Sequence, residues 1–281
     1  MFTAQLKAEE LKYLKTIIDV TTEIISGPRT FTFTQEGVFF ESMDQGSVFV
    51  CFIIQKAFFS TFNLQNDVLE VRLNIDDLKK ILSRIVTADE ILTMNFTDSN
   101  KFAINFSKAN GQGQKRKYEL VLHNPEDDDE KRNILQVIKT IPLDSHLKLE
   151  PGLLKQLLGD VGIATVKDAK HLQITVDNDL AVFDVLNGSE GMNAHIELPK
   201  DNKSIFITSA EKTCSSYDMD YLEKLVKLDT KYKTDQKDVD IELGTDKPLR
   251  ITFTITEPIE FLFVMAPLVE ENEEDIESED E

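Results

Sequence analysis

VLEVRLNIDDLKKILSRIVTADEILTMNF (68–96) changes its hydrophobic period twice. Residues 68–73 and 91–96 read as strands, rich in Val, Ile, Leu and Phe. Between them Leu78, Ile81, Leu82 and Ile85 fall at i, i+3, i+4 and i+7, the spacing of one helical face. The pattern predicts a helix over 76–86, with Asp76 as its N-cap and Lys79, Lys80 and Arg84 on the other side.

The same alternation extends both ways. Strands are predicted at TFTF (30–33), VFF (38–40), VFVCFII (48–54), FAINF (102–106) and YELVL (118–122), with TDSN (97–100) as a hairpin turn. A helix over 8–25 carries Leu11, Leu14, Ile18 and Ile25 on one stripe and Lys12 and Lys15 off it. After residue 145 the order returns: HLKLEP, a helix at 152–161, HLQITV, AVFDVL, AHIELP, SIFITS, a helix at 220–228, VDIELG, PLRITFTI and IEFLFV. The chain repeats itself in structure though not in letters. Each half is predicted as α+β, with helices covering one face of a curved antiparallel sheet.

Between the halves lies HNPEDDDEKRNILQVIKTIPLDS (123–145), acidic at first and apolar at its end, where Ile134, Leu135, Val137, Ile138 and Ile141 gather. It reads as a surface linker whose apolar end docks on something. The last twelve residues, EENEEDIESEDE (270–281), hold nine acids and are predicted to be disordered. The expected division is a first unit over 1–122, a linker over 123–145, a second unit over 146–269 and the tail.

Charge is distributed against expectation. The chain carries −20 overall, and subtracting the nine acids of the tail still leaves −11. Yet the helices place Lys155, Lys224 and Lys227 off their apolar faces, as they do Lys12, Lys15, Lys79, Lys80 and Arg84. On one helix such cations are an ordinary solvated face; their recurrence points to a polyanionic partner.

Several classes are disfavoured. MFTAQLKAEE has no basic start followed by an apolar run, and no window approaches the ~18 apolar residues of a membrane span, so an intracellular, soluble protein without a membrane partner is expected. Cys51 and Cys214 are the two cysteines, and Cys51 in its apolar run reads as a small buried hydrophobe. His123, His146, His171 and His195 are scattered, with no HExxH, CxxC or Cys/His spacing, so no metal and no cofactor is expected. GQG (111–113) lacks a third glycine and a following helix, and there is no Walker lysine motif. The acids at 126–130 lack the spacing and glycine of a calcium loop. No catalytic residue emerges, and an enzyme is not expected.

MFTAQL at the first strand, ESMDQGSV (41–48), TIP (140–142) in the linker and FVMAPLV (263–269) before an acidic tail occur in this order and spacing in the eukaryotic and archaeal sliding clamps. Over residues 1–269 the chain resembles the proliferating cell nuclear antigen family. The resemblance implies a ring of three subunits, each with two similar units, whose helices line a hole holding duplex DNA and whose sheets form the outer wall. DNA polymerase would be tethered there for processive synthesis, and the location would be the nucleus in a eukaryote or the cytoplasm in an archaeon or virus. Lys12, Lys15, Lys79, Lys80, Arg84, Lys155, Lys224 and Lys227 would face the phosphates, without reading bases.

The resemblance also implies closure by edge-strand pairing between 115–122 and 191–198 of the next subunit, through Lys115, Lys117, Tyr118, Leu120, His195 and Glu197. Arg116 and Glu190 would add to the complementary charge of that edge. The residues alone leave open that both strands are interior. A hydrophobic pocket beneath the linker would comprise Met43, Val48, Ile138, Ile141, Pro142, Pro248, Met265, Ala266 and Pro267, taking short peptide motifs of the polymerase, clamp loader, nucleases and ligases. Taken alone, without the resemblance, Met43 and Met265 read as core filler rather than as pocket residues.

The chain departs from the family at Gly46-Ser47, at Val264-Met265 and at the inserted EDDDE (126–130), and its third helix carries the single cation Lys155. A subunit of a heterotrimeric or checkpoint-type clamp, and an acidic interaction scaffold whose helices bind nothing, are the alternatives.

Overall fold

The computed structural model describes residues 1–84, 89–97, 101–111, 113–124, 134–164, 171–186, 191–228 and 238–268. Ile85, the turn at 98–100, the acidic run 126–130, Glu190 and the tail 270–281 lie outside the described residues. The first half runs β1 (Phe2–Leu6), α1 (Ala8–Ile24), β2 (Pro28–Thr34), β3 (Gly37–Asp44), β4 (Val48–Gln55), a 3-10 turn (Lys56–Phe58), β5 (Thr61–Leu64), β6 (Val68–Asn74), α2 (Ile75–Leu82), β7 (Glu90–Thr97), β8 (Lys101–Lys108) and β9 (Arg116–Val121). A short helix follows, α3 (Ile134–Thr140). The second half then repeats the order with β10 (Ser145–Leu149), α4 (Leu153–Gly162), β11 (His171–Asp177), β12 (Leu180–Val185), β13 (Ala194–Pro199), β14 (Ile205–Ser209), β15 (Thr213–Asp218), α5 (Met219–Leu225), β16 (Val239–Leu243), β17 (Leu249–Thr256) and β18 (Ile259–Met265).

Among the described residues all strand pairs are antiparallel, and they form three sheets. One has the order β5-β1-β7-β8-β9, another β13-β12-β11-β15, and a third runs β14-β10-β16-β17-β18-β4-β3-β2-β6. The nine-stranded sheet contains both halves. They meet at the β18:β4 ladder, which runs from Ile259 opposite Ile54 to Met265 opposite Val48.

The inner faces of the sheets are covered by α1, α2, α4 and α5. Leu11, Leu14, Ile17, Ile18 and Ile24 of α1 are buried, as are Leu78, Ile81 and Leu82 of α2, with Leu154, Leu157, Leu158 and Val161 of α4 and Leu222 and Leu225 of α5. The helical spacing of these residues is what carries them to one side. The first half is aromatic inside: Phe40 stacks on Phe52 with centroids 4.7 Å apart, and Phe2 lies 4.5 Å from Phe33. Gly37 opens β3 at φ 145°, where a Cβ would sit 2.1 Å from the Ile54 carbonyl oxygen, so a side chain cannot be accepted at this hairpin.

The structure differs from the sequence reading at four places, the first being the short strand β5, Thr61–Leu64, which falls outside every expected strand. β15 was not expected because its inward side chains are Thr213, Ser215 and Tyr217, which satisfy each other and the backbone rather than pack as hydrocarbon. Ser145 Oγ lies 2.8 Å from Thr213 Oγ1, and Ser215 Oγ donates to the Gly244 carbonyl at 2.9 Å. α3 is a helix where a linker was read. The N-cap of α2 is Asn74 and not Asp76: Asn74 Oδ1 accepts from the Asp76 and Asp77 amides at 2.9 and 3.3 Å. Asp76 sits inside the first turn, where its Oδ2 accepts from Gly27 N at 2.9 Å.

Replacing Asn74 by Ala removes the acceptor of two otherwise orphaned amides and is expected to lower stability by about 1 kcal/mol. The urea midpoint of the variant, at unchanged m, measures this.

Candidate nucleic-acid interface

These four helices stand side by side in the order α2, α1, α5, α4, since α1 packs against both α2 and α5, and α5 against α4. Their apolar stripes face the sheets, so the polar stripes share one surface. All eight cations singled out in the sequence lie on these helices or just past their ends, and none is buried. Lys12, Lys80, Arg84, Lys155 and Lys227 are exposed, while Lys15, Lys79 and Lys224 are half-buried.

The surface is mixed rather than uniformly basic. Asp19, Glu23, Asp76, Asp77, Asp160, Asp220 and Glu223 lie on the same helices. Lys80 Nζ pairs with Asp77 Oδ1 at 2.8 Å, and its ammonium pKa is raised chiefly by that hydrogen bond. Lys227 pairs with Glu23, fastening α5 to α1, and Lys224 Nζ sits 4.3 Å from the centroid of the Tyr221 ring. Tyr221 in turn donates its hydroxyl to Asp44 Oδ2 at 2.9 Å, across the two halves.

β9 and β13 are outer strands of their sheets. Lys115, Lys117, Tyr118 and Leu120 lie on or beside β9, and His195 and Glu197 on β13. Lys117 Nζ reaches Glu119 Oε1 at 2.7 Å, and Lys101 reaches the other carboxylate oxygen at 2.9 Å. These two hydrogen bonds hold the Glu119 carboxyl well below the usual carboxylate range. His195 Nδ1 is 2.6 Å from Asp184 Oδ1 and Nε2 is 3.1 Å from Glu197 Oε1, and these two carboxylates, Asp184 first, raise the imidazole pKa. Leu120 turns into the core. Val121 and Met192, beside these edges, are 74% and 55% exposed.

The residues assigned to a peptide pocket separate into two groups. Met43, Ile138, Ile141, Pro142, Pro248, Ala266 and Pro267 lie on or toward the outer surface. Val48 and Met265 face each other in the main core at 1% and 2% exposure and do not line that surface. The period of two explains the difference: on β18 the outward residues are Leu262 and Val264. With Phe49 and Cys51 of β4 they form a second, smaller apolar cluster under Ile138, flanked by Phe39, Met43, Ile53, Ile134 and Leu135. The unbroken run VFVCFII was the available signal, because only a strand covered on both faces has no polar alternation. Burial pushes the Cys51 thiol far up, which leaves it an unreactive packing group, and Cys214 is also a free cysteine.

Among the described residues no His, Cys, Asp and Glu gather into a set that could hold a metal ion, and no helix is long and apolar enough to cross a membrane. No family model matches the chain. It is 26% identical over 259 residues to the DNA polymerase sliding clamp of Nitrosopumilus maritimus, covering 92% of this chain and 95% of that protein. It is 25% identical over 268 residues to the DNA polymerase sliding clamp of Pyrococcus abyssi, with 94% and 97% covered. The crystal structure of PCNA from Thermococcus kodakaraensis matches with a TM-score of 0.78 at 15% identity, over 95% of this chain and all of that one. The fold is therefore the sliding-clamp fold. Within it, this chain is PCNA-like.

An NMR titration of His195 is expected to show a midpoint above the ordinary ~6.5. Because the folded pKa is raised, the contact stabilises fully below that ordinary value and is lost as pH rises through the folded midpoint. Asp184→Asn should bring the midpoint down.

Proposed function

We propose that three copies of this chain close into a ring around duplex DNA and tether DNA polymerase for processive synthesis. The carrying observation is the β18:β4 seam, which shows inside one chain how two such units join edge to edge. The register chain Leu6, Leu92, Phe106, Arg116 in the first half corresponds to Leu149, Val239, Phe253, Phe261 in the second. Likewise Phe31, Phe40, Phe52 correspond to Ile174, Phe183, Ile196. Phe261 pairs with Phe52 within the chain. The same geometry between copies sets Arg116 opposite the partner's Ile196, Lys117 opposite the partner's His195 and Lys115 opposite the partner's Glu197. Leu120 then meets the partner's Met192, and the exposed Val121 is covered.

In this reading the units are 1–122 and 146–269, joined by the linker 123–145 and followed by the acidic tail 270–281. The helix row faces the hole. Lys12, Lys15, Lys79, Lys80, Arg84, Lys155, Lys224 and Lys227 meet phosphates without reading bases, and weak, salt-sensitive contact lets the ring slide while topology retains it. Polymerase, clamp loader, nuclease and ligase peptides dock on the outer surface between the end of α3 and residues 266–268. Two backbone bonds hold that segment, Ala266 N to Ser47 O and Leu268 N to Ser216 O, both at 2.8 Å. The protein would work in the compartment that holds the DNA it encircles.

Light scattering at micromolar concentration is expected to give near three times the 32.0 kDa of one chain. A single-chain mass would reject self-closure and favour a subunit needing unlike partners. Lys115→Glu should weaken association about tenfold, and adding Glu197→Lys should restore it; failure of the rescue would move the register. Lys80→Glu with Arg84→Glu should cut clamp-stimulated synthesis about tenfold without changing the ring mass.

A further inference from the structure

α3 lies across the seam where the two halves join, and it is fastened to each of them. At its first turn the Leu135 amide donates to Glu41 Oε2 at 3.4 Å; Glu41 belongs to β3, and burial raises its pKa. At its last turn Arg250 Nη2, from β17 of the second half, donates to the carbonyl oxygens of Ile138 at 3.3 Å and Ile141 at 3.1 Å. The other arm of the guanidinium, Nη1, donates to Glu242 Oε2 at 3.2 Å, while Nε is buried with no partner.

A helix of seven residues is too short to hold itself. The Ile138 carbonyl already accepts from the Ile141 amide at 3.2 Å, but its second lone pair and the Ile141 carbonyl are open to a planar cation, which suits both as donor and as a charge at the negative end of the peptide dipoles. The apolar contacts of Ile134, Leu135 and Ile138 fix how far α3 lies from the sheet, but hydrocarbon packing is non-directional. The Arg250 guanidinium is directional, and it holds two carbonyls where the chain leaves α3 toward Pro142.

We infer that Arg250, braced by Glu242, is the positioning residue that fixes the linker wall of the peptide groove and thereby sets the affinity for partner peptides. This rests on the reading that partners dock between α3 and residues 266–268. Arg250 does not touch the peptide; it acts through Ile138 and Ile141.

The test uses the whole protein and two readouts: hydrogen exchange of the amides across 135–141, and anisotropy of a fluorescein-labelled peptide from a DNA polymerase C-terminus. Arg250→Met keeps the apolar stem and removes the fork. It should speed exchange at these amides at least tenfold and weaken the peptide at least tenfold, with the ring mass and the exchange of β17 unchanged. Arg250→Lys, a single point donor, should fall between. Unaltered exchange would overturn the pinning, and faster exchange with unaltered peptide affinity would overturn its role in binding. If wild-type protein fails to bind the peptide, the groove reading itself is overturned, and the exchange result still separates that failure from a failure of the pinning.

Discussion

Edge-to-edge hydrogen bonding between β18 and β4 is the constraint from which the rest of this structure follows. Seven residue pairs join the last strand of the second half to a strand of the first, so that two repeats share one nine-stranded sheet. An antiparallel ladder leaves no unpaired groups at that seam, and it forces both helix pairs to the same side. The same repeat necessarily leaves its counterparts, β9 and β13, without such a partner inside the chain. In the proposed ring these two strands would close on one another between copies.

In the proposed ring the helix row of a chain carrying −20 would face a polyanion. Exposed charges act over about 8 Å at physiological ionic strength, so acids on the far side of the sheets do little at the helix face. What counts there is the local order of cations and acids. Pairs such as Lys80 with Asp77 and Lys227 with Glu23 trim the attraction further. The outcome is a face suited to loose contact, where denser charge would hold DNA in place.

The outer surface is organised by a different rule. β4 and β18 are covered on both faces, inside by the main core and outside by α3 resting on Phe49, Cys51, Leu262 and Val264. α3 is thus a packed element of the linker, and its ends are held by a carboxylate from one half and a guanidinium from the other. Coupling the linker to both sides of the seam makes its position report on how the halves join.

Periodicity in the chain was enough to give the two α+β repeats, the four helices α1, α2, α4 and α5 and the face on which their lysines lie, because each depends on burying one stripe or one alternation. The tail composition and the absence of metal or nucleophile spacing were also readable directly. Three matters were decided by tertiary structure alone. Asn74 took the cap from Asp76 because the geometry of the β6–α2 junction chose between neighbouring side chains. Met265 and Val48 turned inward while Val264 and Phe49 turned outward, because one residue of register reverses every side chain of a strand. The 134–140 segment became a helix, since its apolar residues gain a stable conformation only against a sheet face assembled from strands more than eighty residues before it and more than one hundred after it. Local patterning specifies which residues need burial; only the folded chain supplies the surface that buries them.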